Sequence, residues 1–285
     1  MTAAGPLPLT EREFALFQVL VEREAGLLLG PTKQALLVGR LSRRLHALSL
    51  TSFGAYYRHV TARGNEAERV RMLDCLCTNE TDFFREPQHF ELLSQRVIPE
   101  WTRRAAQGLM ARRVRVWSAG CSTGEEPYSL AMTLLSHLPA GWDVEVLATD
   151  LSTWALDRAR QGLWSVDKAE LIPRRLLRAY MLRGVRTQEG WMQAGPELRA
   201  VLRFAHVNLS DERCWPEGPF ELVFCRNVLI YFGADSRVRA LDALLRRLRA
   251  TGYLFLGHAE SLTGSGEPSV CVAPNVYRPR RLAPT

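Results

Sequence analysis

At 285 residues, 47% hydrophobic and 24% charged, the chain has the make-up of a globular protein with one large domain or two modest ones, which disfavours disordered, collagen-like and disulfide-scaffold classes. Its longest apolar stretches, such as 228–232, fall far short of the roughly 18 residues a membrane span requires. The opening MTAAGPLPLTEREF meets Glu11, Arg12 and Glu13 before an apolar signal core can form, so a cytoplasmic location without membrane insertion is expected. The net charge of +7 points to an acidic partner without choosing its class.

Thr10 and Glu13 have capping-box spacing, and Phe14, Phe17 and Val21 follow at helical intervals, which predicts a helix from about Thr10. Pro31 suits the first turn of a second helix with Leu37, Leu41, Leu45 and Leu48 on one face. At about 100° per residue, Lys33, Arg40 and Arg44 form a stripe beside those leucines. Residues 25–65 also hold Arg43, Arg58 and Arg63 and no acid at all, a candidate docking surface. Helical patterns over 53–60 and 66–77 complete a small all-α domain, placed at 1–90.

A further helix ending near Trp101 leads through an Arg-rich connector to a different pattern. Residues 114–117 (VRVW) predict a buried strand that runs into a glycine-containing turn and a helix. A strand at 144–150, a helix at 152–162, strands at 201–207, 221–225 and 253–258, and a basic amphipathic helix at 235–249 follow. This alternation predicts an α/β fold, a doubly wound, largely parallel Rossmann-like sheet over 91–285. Residues 184–196 read as a glycine-punctuated hairpin and 270–277 as an edge strand. None of the six cysteines forms a C-x-x-C pair, so reduced and mostly buried thiols are expected. The six histidines show no i, i+4 pair, and no metal is expected.

The turn after the first strand narrows the ligand. Gly120 and Gly124 do not make G-x-G-x-x-G, and Glu125 and Glu126 follow Gly124 where a phosphate-binding loop needs lysine. Two carboxylates suit the positive end of a helix but repel a pyrophosphate, so a cofactor with cationic groups fits better. S-adenosylmethionine carries a sulfonium, an ammonium and a ribose diol. Asp150 stands 26 residues after Gly124 at the end of the second strand, near the roughly 20-residue interval of a ribose carboxylate.

In this order and spacing, TNETDFFRE (78–86), SAGCSTGEEPYSLAM (118–132), ATDLS (148–152), HVNLSD (206–211) and FCRNVLIYF (224–232) resemble the chemotaxis receptor methyltransferase family, CheR. The resemblance covers nearly the whole chain. It implies a helical N-terminal domain, an S-adenosylmethionine-dependent methyltransferase domain, and a small antiparallel β subdomain inserted at about 184–200. It further implies methyl transfer to glutamate side chains on the cytoplasmic helical domains of chemoreceptors, leaving glutamate methyl esters and S-adenosylhomocysteine. By the same resemblance, Asn79, Thr81, Arg85 and Gly120 belong to the cofactor pocket, Glu125 binds the methionine ammonium and Asp150 the ribose. Asn208 and Leu209 meet the adenine end, Arg226 and Asn227 line the site, and Arg85 and Tyr231 act at the target. Arg40, Arg43 and Arg44 correspond to the receptor-docking helix. A monomer is expected.

Two rival readings compete with this one. The positive charge prompts a nucleic-acid methyltransferase, but strand 221–225 ends in CRNVLIY and not in the Asn/Asp-Pro-Pro-aromatic string of enzymes acting on bases, so no nucleic-acid partner is expected. A cofactor-sensing module without turnover is opposed by the intact motifs.

Overall fold

A computed structural model describes residues 8–262 and 264–280. The first seven residues, on which the absence of a signal core partly rests, lie outside the described residues.

In the N-terminal domain, Thr10 caps α1 (Glu11–Ala25) with the reciprocal capping box the sequence predicts, and Gly26, left-handed at φ 69°, ends it. A turn of 3-10 helix at Pro31–Lys33 leads into α2 (Gln34–Ala47), followed by α3 (Phe53–Thr61) and α4 (Glu66–Leu76). Leu37, Leu41 and Leu45 of α2 are wholly buried against Phe17, Phe53 and Tyr56. At roughly 1.5–3 kcal/mol per buried large side chain, this small core is the main source of the domain's cohesion.

Helix α5 (Pro87–Leu92), a π-helical stretch at Leu93–Val97 and α6 (Ile98–Ala106) then run onto the α/β domain, where Phe90, Leu93, Val97 and Trp101 join its main core. The order from there is β1 (Arg113–Ala119), α7 (Glu125–His137), β2 (Asp143–Asp150), α8 (Thr153–Gln161) and β3 (Leu163–Ser165). It continues with α9 (Arg174–Tyr180), β4 (Met181–Arg183), β5 (Trp191–Ala194), α10 (Pro196–Val201) and β6 (Leu202–His206). The chain closes with β7 (Phe220–Cys225), α11 (Ala234–Arg246), β8 (Leu248–Leu256), β9 (Ser269–Ala273) and β10 (Val276–Pro279). One seven-stranded sheet has the order β6-β2-β1-β7-β8-β10-β9. The pairs from β6 to β8 are parallel, and β10 runs antiparallel to both β8 and β9. Strand order reverses between β1 and β7, which opens a crevice at their carboxyl ends.

Several features depart from the sequence reading. The edge strand expected at 270–277 is a hairpin, because Asn275, left-handed at φ 58°, turns the chain between β9 and β10. The inserted sheet is three-stranded, β3-β5-β4; it starts at Leu163, well before 184, and the residues after 195 are helix α10. The helix expected to reach 249 stops at Arg246, because Leu248 already pairs with Phe220 in the sheet. All six cysteines are free, but only Cys121 and Cys225 are buried; Cys214 and Cys271 are exposed. Among the described residues no helix is long and apolar enough to cross a membrane.

The two domains are sewn together on the crevice side. Asp74 of α4 accepts hydrogen bonds from the Thr153 backbone N–H (2.7 Å) and hydroxyl (2.6 Å) at the start of α8. Asn208 Nδ2 donates to the Glu24 carbonyl at 2.5 Å, and Leu28 N–H to the Tyr231 carbonyl at 2.7 Å. The linker after α1 therefore forms one wall of the crevice.

Candidate active site

Each strand that ends at the crevice delivers a group there. After β1, Gly120 holds φ 87°, and a Cβ on it would lie 2.3 Å from Val228 Cγ2, so only glycine fits between the first turn and the segment after β7. At Gly124 the missing Cβ leaves room for Ala159 of α8, 3.0 Å away. At the end of β2, Asp150 accepts from Ser122 N–H (2.7 Å) and Ser152 N–H (2.8 Å). Burial raises its pKa, and those two N–H groups oppose the shift. Four non-glycine residues with positive φ, Phe84, Glu86, Ser122 and Asn227, lie in the segments that wall this crevice, the kind of backbone strain that gathers at functional sites.

The crevice encloses about 190 Å³. Asn79, Thr81 and Arg85 line it from the TNETDFFRE segment, with Gly120 and Asp150 from the ends of β1 and β2. Asn208, Leu209, Arg226, Asn227 and Tyr231 complete the predicted set. Glu125 is the exception. It is 1% exposed, and its carboxylate accepts from Lys168 Nζ (2.5 Å) and the Thr123 hydroxyl (2.6 Å). The carboxylate of this pair that reaches the wall is Glu126, bonded to the Ser118 hydroxyl at 2.7 Å. Burial pushes the Glu126 pKa up, against the pull of Arg226 and Ser118.

Several wall residues are already engaged within the protein. Arg226 is buried, its guanidinium 3.2 Å from Glu86 and 3.5 Å from Glu126, and it donates to the Arg85 carbonyl. It ties the TNETDFFRE segment to β7 and α7. The Asn208 side chain is held by Glu24 and Ser210. By contrast, Arg85 makes no ion pair and the Tyr231 hydroxyl no hydrogen bond among the described residues, and both are exposed.

The expected docking stripe divides. Arg44 is engaged by Glu68 (2.5 and 3.0 Å), which also accepts from the Tyr56 hydroxyl at 3.0 Å. Arg40 donates to the Leu76 and Cys77 carbonyls and to the Thr78 hydroxyl, capping the end of α4. Arg43 alone of the three is exposed. The sequence missed Glu126, the linker residues Leu27, Leu28 and Leu29, and Lys168, whose ammonium joins Glu125 to the Thr81 carbonyl. The α7 helix turns about 100° per residue, so only one of two adjacent glutamates faces the crevice, and the EE pair gives no sign which.

One set of potential cation ligands lies beside the site: Glu86, His89 and His258, with ligand atoms within 4.8 Å of one another. Arg226 already occupies the Glu86 carboxylate, and His89 Nδ1 lies 3.3 Å from it without hydrogen-bond alignment. This cluster reads as a charge network around the Arg226 guanidinium.

Residues 12–77 match the family model described as CheR methyltransferase, all-alpha domain, and residues 79–275 the model described as CheR methyltransferase, SAM binding domain. The chain belongs to the CheR methyltransferase family. It is 36% identical to a chemotaxis protein methyltransferase of Salmonella typhimurium, over 90% of this chain and 86% of that one. It is also 36% identical to chemotaxis protein methyltransferase 2 of Pseudomonas aeruginosa, over 95% and 94% of the two chains. Chemotaxis protein methyltransferase 1 of the same organism is 38% identical, over 88% and 90%. The α/β half is thus the S-adenosylmethionine-binding domain of a CheR methyltransferase. Its donor set suits that cofactor, because Asp150 keeps lone pairs for hydroxyl groups and the Glu126 carboxylate stands on the wall as an acceptor for a cationic group. Val207, Leu209 and Val228 add apolar surface for a flat heterocycle.

Proposed function

We propose that this chain methylates glutamate side chains on the cytoplasmic helical domains of chemoreceptors, in the cytoplasm, with S-adenosylmethionine as donor. The observation that carries the reading is the division of charge across one crevice. The acids Asp150 and Glu126 are nearly enclosed, whereas the unpaired Arg85 and the free Tyr231 hydroxyl stand outside them at the solvent side. An inner acidic wall suits a cofactor bearing cationic groups, and an outer cation and hydroxyl suit an incoming carboxylate. The names of the relatives support it.

A glutamate side chain, with a free pKa of about 4.3, is already ionised at neutral pH, so no residue needs to act as general base. The cofactor supplies a methyl group on a sulfonium. Asp150 accepts from the ribose hydroxyls, Leu209 with Val207 packs the adenine, and Asn208 fixes that corner through Glu24. Asn79, Thr81, Arg226 and Asn227 shape the rest of the wall. Glu126 faces the ammonium end, and Glu125 joins it only if Lys168 releases it. Arg85 and the Tyr231 hydroxyl hold one oxygen of the target carboxylate, leaving the other to attack in line. Because opposite charges disappear during transfer, alignment and exclusion of water by Leu27, Leu28 and Leu29 contribute more than proton movement.

The receptor approaches past α2, where Lys33 and Arg40 line the crevice and Arg43 is exposed; Arg44 has no part in docking. Incubating receptor cytoplasmic fragments with labelled cofactor and sequencing the labelled peptides tests the proposal. Label on glutamates of the helical segments is expected, and label on any other residue type rejects the substrate.

A further inference from the structure

Beyond the residues that touch ligand, one buried carboxylate governs where the crevice wall lies. Glu260, 5% exposed, sits 29 residues past Tyr231 in sequence yet is bound to the segment that carries it. Its Oε1 accepts from the backbone N–H groups of Val228 (2.9 Å), Leu229 (2.8 Å) and Ile230 (3.3 Å). Its Oε2 accepts from those of Asn227 (2.9 Å) and Gly257 (2.7 Å). No lysine or arginine pairs with it among the described residues, and five backbone N–H groups converge on its carboxylate.

The geometry of the receiving segment explains the arrangement. Asn227 is left-handed at φ 58° and Val228 right-handed at φ −113°, ψ −50°. Alternating hands turn successive N–H groups to one side, making the backbone concavity that elsewhere binds a free anion. Here the chain fills it with its own side chain. Glu260 is brought there by a tight turn, its N–H bonded to the Gly257 carbonyl at 2.9 Å, and Asn275 Nδ2 donates to the Gly257 carbonyl at 3.0 Å. A Cβ on Gly257 would lie 2.8 Å from Asn227 N, so the two turns are in direct contact.

We propose that Glu260 is a positioning residue for methyl transfer: by clamping the amides of 227–230 it fixes Asn227, Val228 and Tyr231 on the crevice wall. It does not line the crevice itself. The clamped segment abuts the Gly120 turn through Val228 and carries the Tyr231 hydroxyl, so a shift of the segment moves the wall on the cofactor and target sides together. A glutamine in its place has the right size but offers only one acceptor oxygen, and its NH2 would face N–H donors. The catalytic part of this inference rests on the proposed methyl transfer, whereas the clamp itself does not.

Two measurements test it. In the unaltered protein, peptide-resolved hydrogen exchange should show the amides of 227–230 protected although they lie in a short turn. In Glu260→Gln they should exchange about tenfold faster or more, as expected for loss of hydrogen bonds to a charged acceptor, while β1 and β7 stay protected. At saturating cofactor the turnover number should fall about tenfold with the Michaelis constant for receptor nearly unchanged. A purely structural carboxylate would lower the melting temperature and leave turnover of the folded enzyme intact. Glu260→Asp, one methylene too short to reach both sets of donors, should behave like Glu260→Gln and replaces it if that variant does not fold. Unprotected amides at 227–230 in the unaltered protein, or a folded variant turning over at the normal rate, overturn the proposal. If no receptor is methylated even by the unaltered protein, the substrate reading fails while the exchange result still decides the clamp.

Discussion

Asp150 and Tyr231 both line the crevice, and their proposed roles separate by which ligand each substitution affects. In Asp150→Ala the Ser122 and Ser152 N–H groups lose their acceptor, and on the proposed reading the cofactor loses a carboxylate partner. Cofactor affinity should drop by roughly 1.5–3 kcal/mol, the range for a hydrogen bond to a charged group. Tyr231→Phe removes a hydroxyl that bonds nothing among the described residues, so turnover should fall while cofactor affinity stays nearly intact. Calorimetric titration of both variants with cofactor, alongside steady-state rates, checks the pair. Unchanged affinity in folded Asp150→Ala would remove that residue from the site, and equal loss of affinity and rate in Tyr231→Phe would put the tyrosine on the wrong ligand.

Helix α2 shows how far a pattern can be read. Its leucines point inward as their spacing requires, and the same arithmetic puts Arg40 and Arg44 beside them, but spacing cannot say what stands opposite. The answer lies in α4, where Glu68 is buried and takes both Arg44 and the Tyr56 hydroxyl. Burial raises the Glu68 pKa, and the hydrogen bonds from Arg44 and Tyr56 outweigh it, so the carboxyl titrates below its usual range. Arg44→Ala should therefore destabilise the fold by on the order of 2 kcal/mol, since it leaves a buried carboxylate without its main partner. Arg43→Ala should leave the melting temperature unchanged and weaken receptor binding. Thermal unfolding of the two variants decides, and equal stability would mean that the Arg44–Glu68 contact contributes nothing. The strands, the first turn and Asp150 were legible because local period and spacing define them. Glu260 was not, because its partners are backbone amides about thirty residues away and no side-chain pattern records them. The hairpin of β9 and β10 escaped for a related reason, since a single left-handed Asn275 makes the turn.

At the scale of the whole molecule, the core of the α/β domain encloses a group sensitive to acid. His89 packs against Phe224 and Phe255 beside Arg226, and burial with the nearby guanidinium pushes its pKa down to about 4. The unfolded chain binds a proton on this histidine at about pH 6.5. The neutral ring thus adds stability that is complete above that pH and is lost as pH falls through about 4. The unfolding free energy should therefore rise with pH from about 4 to about 6.5, and His89→Gln should flatten that slope; an unaltered slope in the variant would assign the acid sensitivity elsewhere. The charge of +7 belongs to this scale too, because long-range attraction of an acidic helical partner is screened within about 8 Å in physiological salt. Receptor methylation should accordingly have a Michaelis constant that rises with ionic strength. All of this turns on a carboxylate receiving the methyl group at the Arg85 and Tyr231 side of the crevice. The most direct measurement offers receptor cytoplasmic fragments and RNA side by side with methyl-labelled S-adenosylmethionine, then exposes the products to mild alkali. The account predicts label on the receptor alone, released as methanol because it is held as an ester; label on RNA, or on protein in an alkali-stable bond, would contradict it.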